Sequence, residues 1–584
     1  MRPHILLVPA ILASLVASSA AQQKDDPVVT LRAQSRLILV PAFVSEHGKA
    51  VSALHKQDFT ILCDGKPVEA RIFEELDAQS DAPLTPLPPH TASNFVDGDK
   101  QNGITIVLLD MLNSSVDTRF KMVSFVRQDL PKLLRTSRVP VSLLVLTSTG
   151  LRQIASFTAE PSAVAQEIVS KEAQRNISTL DSLLTFGVFA ADTNSQQPGA
   201  TSGTDSGLGA PSSGVDPATA LASVSSANSM RVENTANITA EAFRQIAHAF
   251  AGIPGRKKLV WFSTGFPQYT DGSDLFSHSI QPEADGADVT HRQNGQDQAA
   301  FLVEDARRNS AHVLSNANIA VYPVDINGAT NPSWQGRQDP SNFGGAQLRG
   351  FSVAEKPQFS RESNQQSMVA LAQETGGLLC TDFLSTCLEH AEKDADHYYL
   401  LGFYQPASLP AGWHKLEVKT NHAGAVRARN GFTVDPPAKP GMQLRDLQDA
   451  MASPIDGTAI PIVMQVLPKD SNNGKRATID ITVAVPPGPI KLEDDSKLKL
   501  DLYVEVSRVG SPRPEFRNTT VRKTLTPAQA QLFRTEGFRY KNNYELPPGK
   551  YQVRLLLRDN TSGRIGSVTT PVEIAGDTSL VKRR

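Results

Sequence analysis

The chain has 584 residues, a length that predicts about three to five folding units rather than one core. Its 58 Lys+Arg against 60 Asp+Glu give a net charge of −2, so no charge excess exists to drive binding to nucleic acid or to an anionic membrane. A 40% hydrophobic content with 38 Gly and 39 Pro points instead to a β-containing, loop-rich, multidomain protein with real cores.

Residues 1–21 read as a secretory signal peptide: Arg2 precedes an apolar stretch from Ile5 to Val16, and small residues at Ser19 and Ala21 follow. That stretch is too short to span a hydrocarbon core, which takes about 20 residues, and no other segment approaches this length. The expected location is therefore secreted or periplasmic, in the cell envelope, with no integral membrane segment after cleavage. Of the three cysteines, Cys63, Cys380 and Cys387, the last two are close in sequence. Either they form a disulfide closing that short loop or they are two separate buried thiols.

Residues 27–76 resemble a small β-module, with apolar strands interrupted at His47-Gly48 and Asp64-Gly65. Residues 77–103 read as a linker carrying Pro83, Pro86, Pro88 and Pro89. Ile104 to Leu109 then form a continuous apolar run ending in Asp110, as in a strand buried on both faces. A helix is expected next, with Asp117 as N-cap and Phe120, Val123, Val126, Leu130 and Leu133 at helical spacing. Further strands fall at 141–146, 259–262 and 319–324, with helices marked by Ile238, Phe243, Ile246 and Phe250 and by Met368, Leu371 and Ala372. This alternation predicts an α/β doubly wound domain over residues 104–434.

Three insertions interrupt that domain, at 192–229, 271–298 and 328–363. The first lacks aromatics, Lys and Arg and is expected to be disordered. The other two follow strands, at the carboxyl edge where open α/β sheets bind ligands. From residue 443 to 575, strict alternation at Ile479–Val485, Leu498–Val506 and Tyr551–Leu557 predicts an immunoglobulin-like β-sandwich, with a helix near Pro527–Arg534.

No nucleophile elbow, P-loop, H-E-x-x-H or strand-to-helix G-x-G-x-x-G motif occurs. Glu389, His390 and Glu392, with Asp394, Asp396 and His397, are better read as a solvated helix end than as a ligand set, because their spacing defines no single face. The remaining chemistry lies at Asp110-Met111-Leu112-Asn113-Ser114: a carboxylate beyond the end of a strand, followed by amide and hydroxyl groups that could supply oxygen ligands to a hard cation.

This segment resembles the D-x-S-x-S metal-ion-dependent adhesion site of von Willebrand factor type A domains, with Asp110 and Ser114 in register, Leu112 in place of the first Ser and Asn113 adjacent. Thr264, in Ser263-Thr264-Gly265, stands where that family has an acidic residue. The resemblance implies a degenerate site, with Asp110, Asn113, Ser114 and Thr264 as metal candidates and Mg²⁺ held weakly. Lys56–Leu62 with Asp64–Pro67, Leu371–Gly377, Tyr398–Phe403, Trp413–Val418 and Arg427–Phe432 are similar, in the same order, to a von Willebrand factor type A-related family described from acidobacterial genomes. The resemblance covers residues 27–434 and implies an α/β domain flanked by β-modules.

These readings converge on an exported, non-enzymatic protein-binding or adhesion-type protein that meets a protein partner through carboxyl-edge loops. The alternative is a metal-independent structural or assembly component of the envelope. No catalytic residue and no cofactor beyond the weak Mg²⁺ is expected, because no nucleophile and base can be paired by spacing.

Overall fold

The computed structural model describes most residues between 37 and 574. Outside it lie 1–36, 78–86, 96–103, 159–216, 268–286, 326–357, 382–390, 392–396, 435–441, 470–475, 575–584 and short stretches at 48, 89, within 115–139, at 254 and within 510–513. The chain runs through β1 (Leu37–Glu46), β2 (Lys49–Ala50), β3 (Phe59–Cys63), β4 (Lys66–Val68), β5 (Ile72–Asp77), β6 (Thr91–Ser93), β7 (Thr105–Asp110), β8 (Val141–Thr147) and β9 (Gly150–Thr158). It continues with α1 (Pro217–Phe250), β10 (Lys257–Ser263), α2 (Ala287–Asn316), β11 (Ile319–Asp325), α3 (Gln358–Thr375), β12 (His397–Tyr404), β13 (Gly412–Thr420), β14 (Ala425–Ala428) and β15 (Gly431–Val434). The last section holds α4 (Met442–Ala452), β16 (Val463–Pro468), β17 (Ala477–Val485), β18 (Lys497–Arg508), β19 (Glu515–Thr524), α5 (Pro527–Glu536), β20 (Phe538–Leu546), β21 (Gly549–Asp559) and β22 (Ile565–Ile574).

The central sheet has the order β11-β10-β7-β8-β9. Its first three pairings are parallel and β9 is antiparallel to β8. Every residue of β7, β10 and β11 is buried, which explains why these strands are unbroken apolar runs rather than alternating ones. On one face Phe243, Ile246 and Phe250 of α1 and Met368 and Leu371 of α3 pack with Ile106, Leu108, Leu259 and Trp261. Phe243 meets Trp261 edge-on at 5.3 Å between ring centroids, the geometry the ring quadrupoles favour.

Strands distant in sequence build the second unit. Here β1 pairs with both β12 and β14, β5 pairs with β12, and β3 pairs with β13. Their inner faces bury Val40, Ile61, Tyr399, Leu401 and Phe432 in one core. The segment 27–76 is thus not a module by itself, and 397–434 belongs with it rather than with the central sheet. The C-terminal unit is a sandwich of two four-stranded antiparallel sheets, β20-β17-β16-β6 and β19-β18-β21-β22, over a core of alternating Ile, Val and Leu side chains. Thr526 caps α5 by accepting from the Gln529 amide, satisfying one of the N–H groups a helix start leaves open. Thr458 donates its hydroxyl to the Ala249 carbonyl at 2.7 Å and so ties the end of α1 to the approach of β16. A Cβ at Gly252 would stand 2.0 Å from the Thr458 carbonyl oxygen, so only glycine permits this approach.

The expectation of an α/β doubly wound, von Willebrand factor type A-like fold is corrected by this architecture. The described residues form twenty-two strands, against five α-helices and further helical residues between 118 and 131 and at 391. Four of the five sheets are antiparallel throughout, and parallel pairings are confined to one sheet. The physical reason is the weight of the flanking strands: their half-buried alternation builds most of the cores, and β6, from the segment read as a linker, joins the C-terminal sandwich by pairing with β16. The three insertions also need revision, since α1 begins at Pro217, α2 at Ala287 and α3 at Gln358. Their remaining parts, like residues 1–21 and Cys387, lie outside the described residues. Among the described residues, no helix is long and apolar enough to cross a membrane.

Candidate functional site

Parallel register brings Asp110, Ser263 and Asp325 to one edge. Leu109 is level with Phe262, so Asp110 and Ser263 follow side by side, and Ser263 is level with Asp325. All three are buried. Carbonyl-end positions of adjacent parallel strands are where such a sheet gathers its polar groups.

Asp110 is fully enclosed, and its two oxygens accept four hydrogen bonds. Oδ1 accepts from the Asn113 backbone amide at 2.9 Å. Oδ2 accepts from Asn113 Nδ2 at 2.7 Å, Ser263 Oγ at 2.9 Å and Trp261 Nε1 at 3.1 Å. Burial raises the Asp110 carboxyl above its ordinary value, and the donors from Asn113, Ser263 and Trp261 offset this only in part by favouring the charged form. Half-buried Arg119 adds a positive charge nearby: burial lowers its guanidinium and the Asp110 charge raises it.

The network extends outward through Asn113. Its Nδ2 also donates to Thr239 Oγ1 of α1 at 2.9 Å, and Thr264 Oγ1 donates to its carbonyl. Turning the Asn113 amide over would set its oxygen against the carboxylate, so the hydrogen-bond network fixes its orientation. Asp325 Oδ2 accepts from Gln365 Nε2 of α3 at 2.7 Å, and Ser367 Oγ accepts from the Phe266 amide at 3.2 Å.

The structure therefore brings the four sequence-derived metal candidates together, but their atoms point in ways a cation would not choose. Asp110 has both oxygens occupied, Asn113 offers its amide nitrogen, and Thr264 turns its hydroxyl to a carbonyl. Ser114 Oγ alone is buried with no hydrogen-bond partner. One open oxygen, on Ser114, and four N–H and O–H donors already on the Asp110 carboxylate fit a carboxylate held by the protein rather than the oxygen shell that Mg²⁺ requires. Among the described residues no group of three His, Cys, Asp or Glu side chains converges.

Sequence reasoning missed Trp261, Ser263, Thr239 and Asp325. Ser263 and Trp261 were detectable as two positions of the same parity on β10, the strand next to Asp110. Thr239 was not, because its contact crosses 126 residues of chain. Cys380 is buried and pairs with Val324 through an isolated bridge; its pairing with Cys387 falls outside the described residues.

No family model matches the sequence and no curated protein is similar to it. Among solved structures, the open conformation of the pilus adhesin SpaC from Lactobacillus rhamnosus GG is 10% identical over 91% of this chain and 57% of its own, with a TM-score of 0.23. A second form of that adhesin is 9% identical over 91% of this chain and 58% of its own, at 0.24. A beta-galactosidase candidate from Bacteroides fragilis is 14% identical over 30% of this chain and 26% of its own, at 0.15. The chain thus spans well under two thirds of each of these proteins, and TM-scores this low support no shared fold or activity.

Proposed function

We propose that this is an exported, non-enzymatic binding protein that meets a protein partner at the edge where β7, β10 and β11 end, without a cation at Asp110. The observation supporting this reading is that the parallel strands end side by side and that long polar segments, residues 264–286 and 326–357, leave from β10 and β11 there. Segments mounted on a rigid sheet edge are where binding residues concentrate. Asp110 then serves the edge by bracing it: the carboxylate joins β7, β10 and, through Asn113, α1, so that the departing segments start from fixed positions.

Photo-crosslinking in native cells tests the reading. A photoreactive residue at Trp334, within the segment after β11, should give a discrete protein adduct that persists with a chelator present. The same residue at Lys541, on the outer face of β20, should not. Equal adducts at both positions would overturn the edge assignment, and adducts lost on chelation would overturn the cation-free reading.

A further inference from the structure

A cavity of about 230 Å³ lies where the amino end of the central sheet meets the β1–β15 unit. It is lined by Leu37–Leu39 of β1, Ala251–Ile253, Gly255, Lys257, Asn316–Asn318, Arg429 and Phe432. It is at the far end of β10 from Asp110 and shares no residue with the site above. Ala251 and Gly252 are exposed at its rim, which gives it an opening to solvent.

The charges on its wall have one sign. Lys257 is 2% exposed, and its Nζ donates to the Ile253 carbonyl at 2.7 Å and the Gly255 carbonyl at 3.5 Å. Arg429 donates Nη1 to the Ser315 carbonyl at 2.7 Å and Nη2 to the Leu39 carbonyl at 2.6 Å. Asn316 and Asn318 are neutral, and among the described residues no Asp, Glu or His lines the cavity. Burial lowers the Lys257 amine to about 7, since carbonyl dipoles compensate a buried ammonium less well than an anion would. Its apolar wall comes from Leu37, Leu39, Ile253 and Ala317. The volume lies below the roughly 300–1,000 Å³ of drug-sized pockets.

We propose that this cavity binds a small organic carboxylate, with the carboxylate paired to Lys257 beside Arg429 and the apolar body against Leu37, Leu39 and Ile253. A monoanion with a short apolar body matches one compact ammonium in a hollow of mixed lining, because both terminal nitrogens of Arg429 already donate to protein carbonyls and a phosphate would leave its remaining charge without partners. Pairing restores the proton that burial costs Lys257. Binding therefore takes up a proton, and affinity falls about tenfold per pH unit once the pH passes the free-state value of Lys257.

Calorimetric titration of the full chain with benzoate, butyrate, benzamide and inorganic phosphate at pH 6, 7 and 8.5 tests this. Benzoate or butyrate should bind, more weakly by about tenfold or more at pH 8.5 than at pH 6. Benzamide and phosphate should not compete with them, and Lys257→Met should abolish binding. A carboxylate affinity unchanged in Lys257→Met, an affinity independent of pH, tighter binding of phosphate, or no carboxylate binding at millimolar concentration would each overturn the proposal. If Lys257→Met does not fold, acylation of the wild-type protein at pH 8 followed by peptide mass spectrometry gives the same decision. Benzoate should slow modification of Lys257 and leave exposed Lys415 unchanged, and equal rates at Lys257 with and without benzoate would overturn it.

Discussion

Asp110 and Lys257 sit at opposite ends of the sheet's centre, and both are ionisable side chains removed from water. They are satisfied in different ways. Asp110 has four donors from three residues and is fully enclosed; Lys257 has two carbonyl partners and a hollow. A buried charge whose partners are complete acts as a brace, because any competitor must first break protein hydrogen bonds. One compensated only by dipoles beside a cavity leaves room for an ion of opposite sign. Burial alone therefore does not identify a binding group; the completeness of its partners does.

The contrast breaks most sharply at Asp110. Replacing Asp110 by Ala leaves the Trp261 indole and the Asn113 backbone amide without their acceptor, while Asn113 Nδ2 keeps Thr239 and Ser263 Oγ keeps the Gly265 carbonyl; the change should cost about 3 kcal/mol in urea unfolding of the full chain. A loss below about 1 kcal/mol would mean that the network is not a brace. Mg²⁺, Mn²⁺ or Ca²⁺ should leave the melting temperature of the wild type where it was, and a metal-dependent rise that Asp110→Ala removes would restore the ion.

At Lys257 the expected effect is smaller and depends on pH. Its ordinary value of 10.5 falls to about 7 in the folded chain, so between those values the unfolded state binds more protons and folding stability rises with pH. Against a Lys257→Met variant, which lacks this titration, the wild type should gain about 1.5 kcal/mol between pH 7 and 8.5. Parallel stability curves for the two proteins would place the ammonium in water rather than in the cavity.

Much of the fold was readable as elements, and less as architecture. Ile104–Leu109 announced a strand buried on both faces, and Ile479–Val485 announced one buried on a single face, because side-chain burial dictates the two periodicities directly. The pairing of β1 with β12, or of β6 with β16, carries no local signal: strand partners hundreds of residues apart leave nothing in the spacing of either. Hence the strand–helix alternation in the middle of the chain points to one α/β architecture, while the flanking strands find partners that no local pattern shows. At the site, Asp110 was visible from its place after an apolar run and Trp261 from its parity with Ser263 on β10, but the direction of the Asn113 amide decides brace against cation and leaves no trace in the spacing. Lys257 and Lys258 did leave a trace, as two charges opening the otherwise apolar run Leu259–Phe262.

A finer cut at the brace is Trp261→Phe. The ring keeps its packing on Phe243 while one donor to Asp110 Oδ2 is lost. Three donors remain, so the cost should be about 1 kcal/mol, well below that of Asp110→Ala. A cost equal to that of Asp110→Ala would move the stabilisation from the carboxylate to the indole.

The smallest effect is expected where a charge is enclosed on one side only. His414 is buried, but its partner Asp64 is 43% exposed, and Nδ1 lies 2.7 Å from Asp64 Oδ2 while Nε2 lies 2.9 Å from the Pro410 carbonyl. Two acceptors on one ring require both nitrogens to carry protons. Burial opposes that charge, yet the Asp64 carboxylate and the Pro410 carbonyl outweigh it and raise the His414 value above 6.5; the His414 hydrogen bond in turn holds Asp64 below 3.8. For the raised histidine, stabilisation is complete below its unfolded value near 6.5 and disappears as the pH climbs through the folded value; for the lowered carboxylate it is complete above about 4 and disappears in acid. Asp64→Asn should therefore destabilise most between about pH 4 and 6.5. Because solvent screens the exposed partner, the difference should stay below about 1 kcal/mol and close at pH 9. Denaturant unfolding of both proteins at pH 5 and pH 9 reads it. A gap that is the same at both values would mean that His414 is neutral and that the pair is an ordinary hydrogen bond, leaving Asp110 and Lys257 as the two extremes with no charged pair between them.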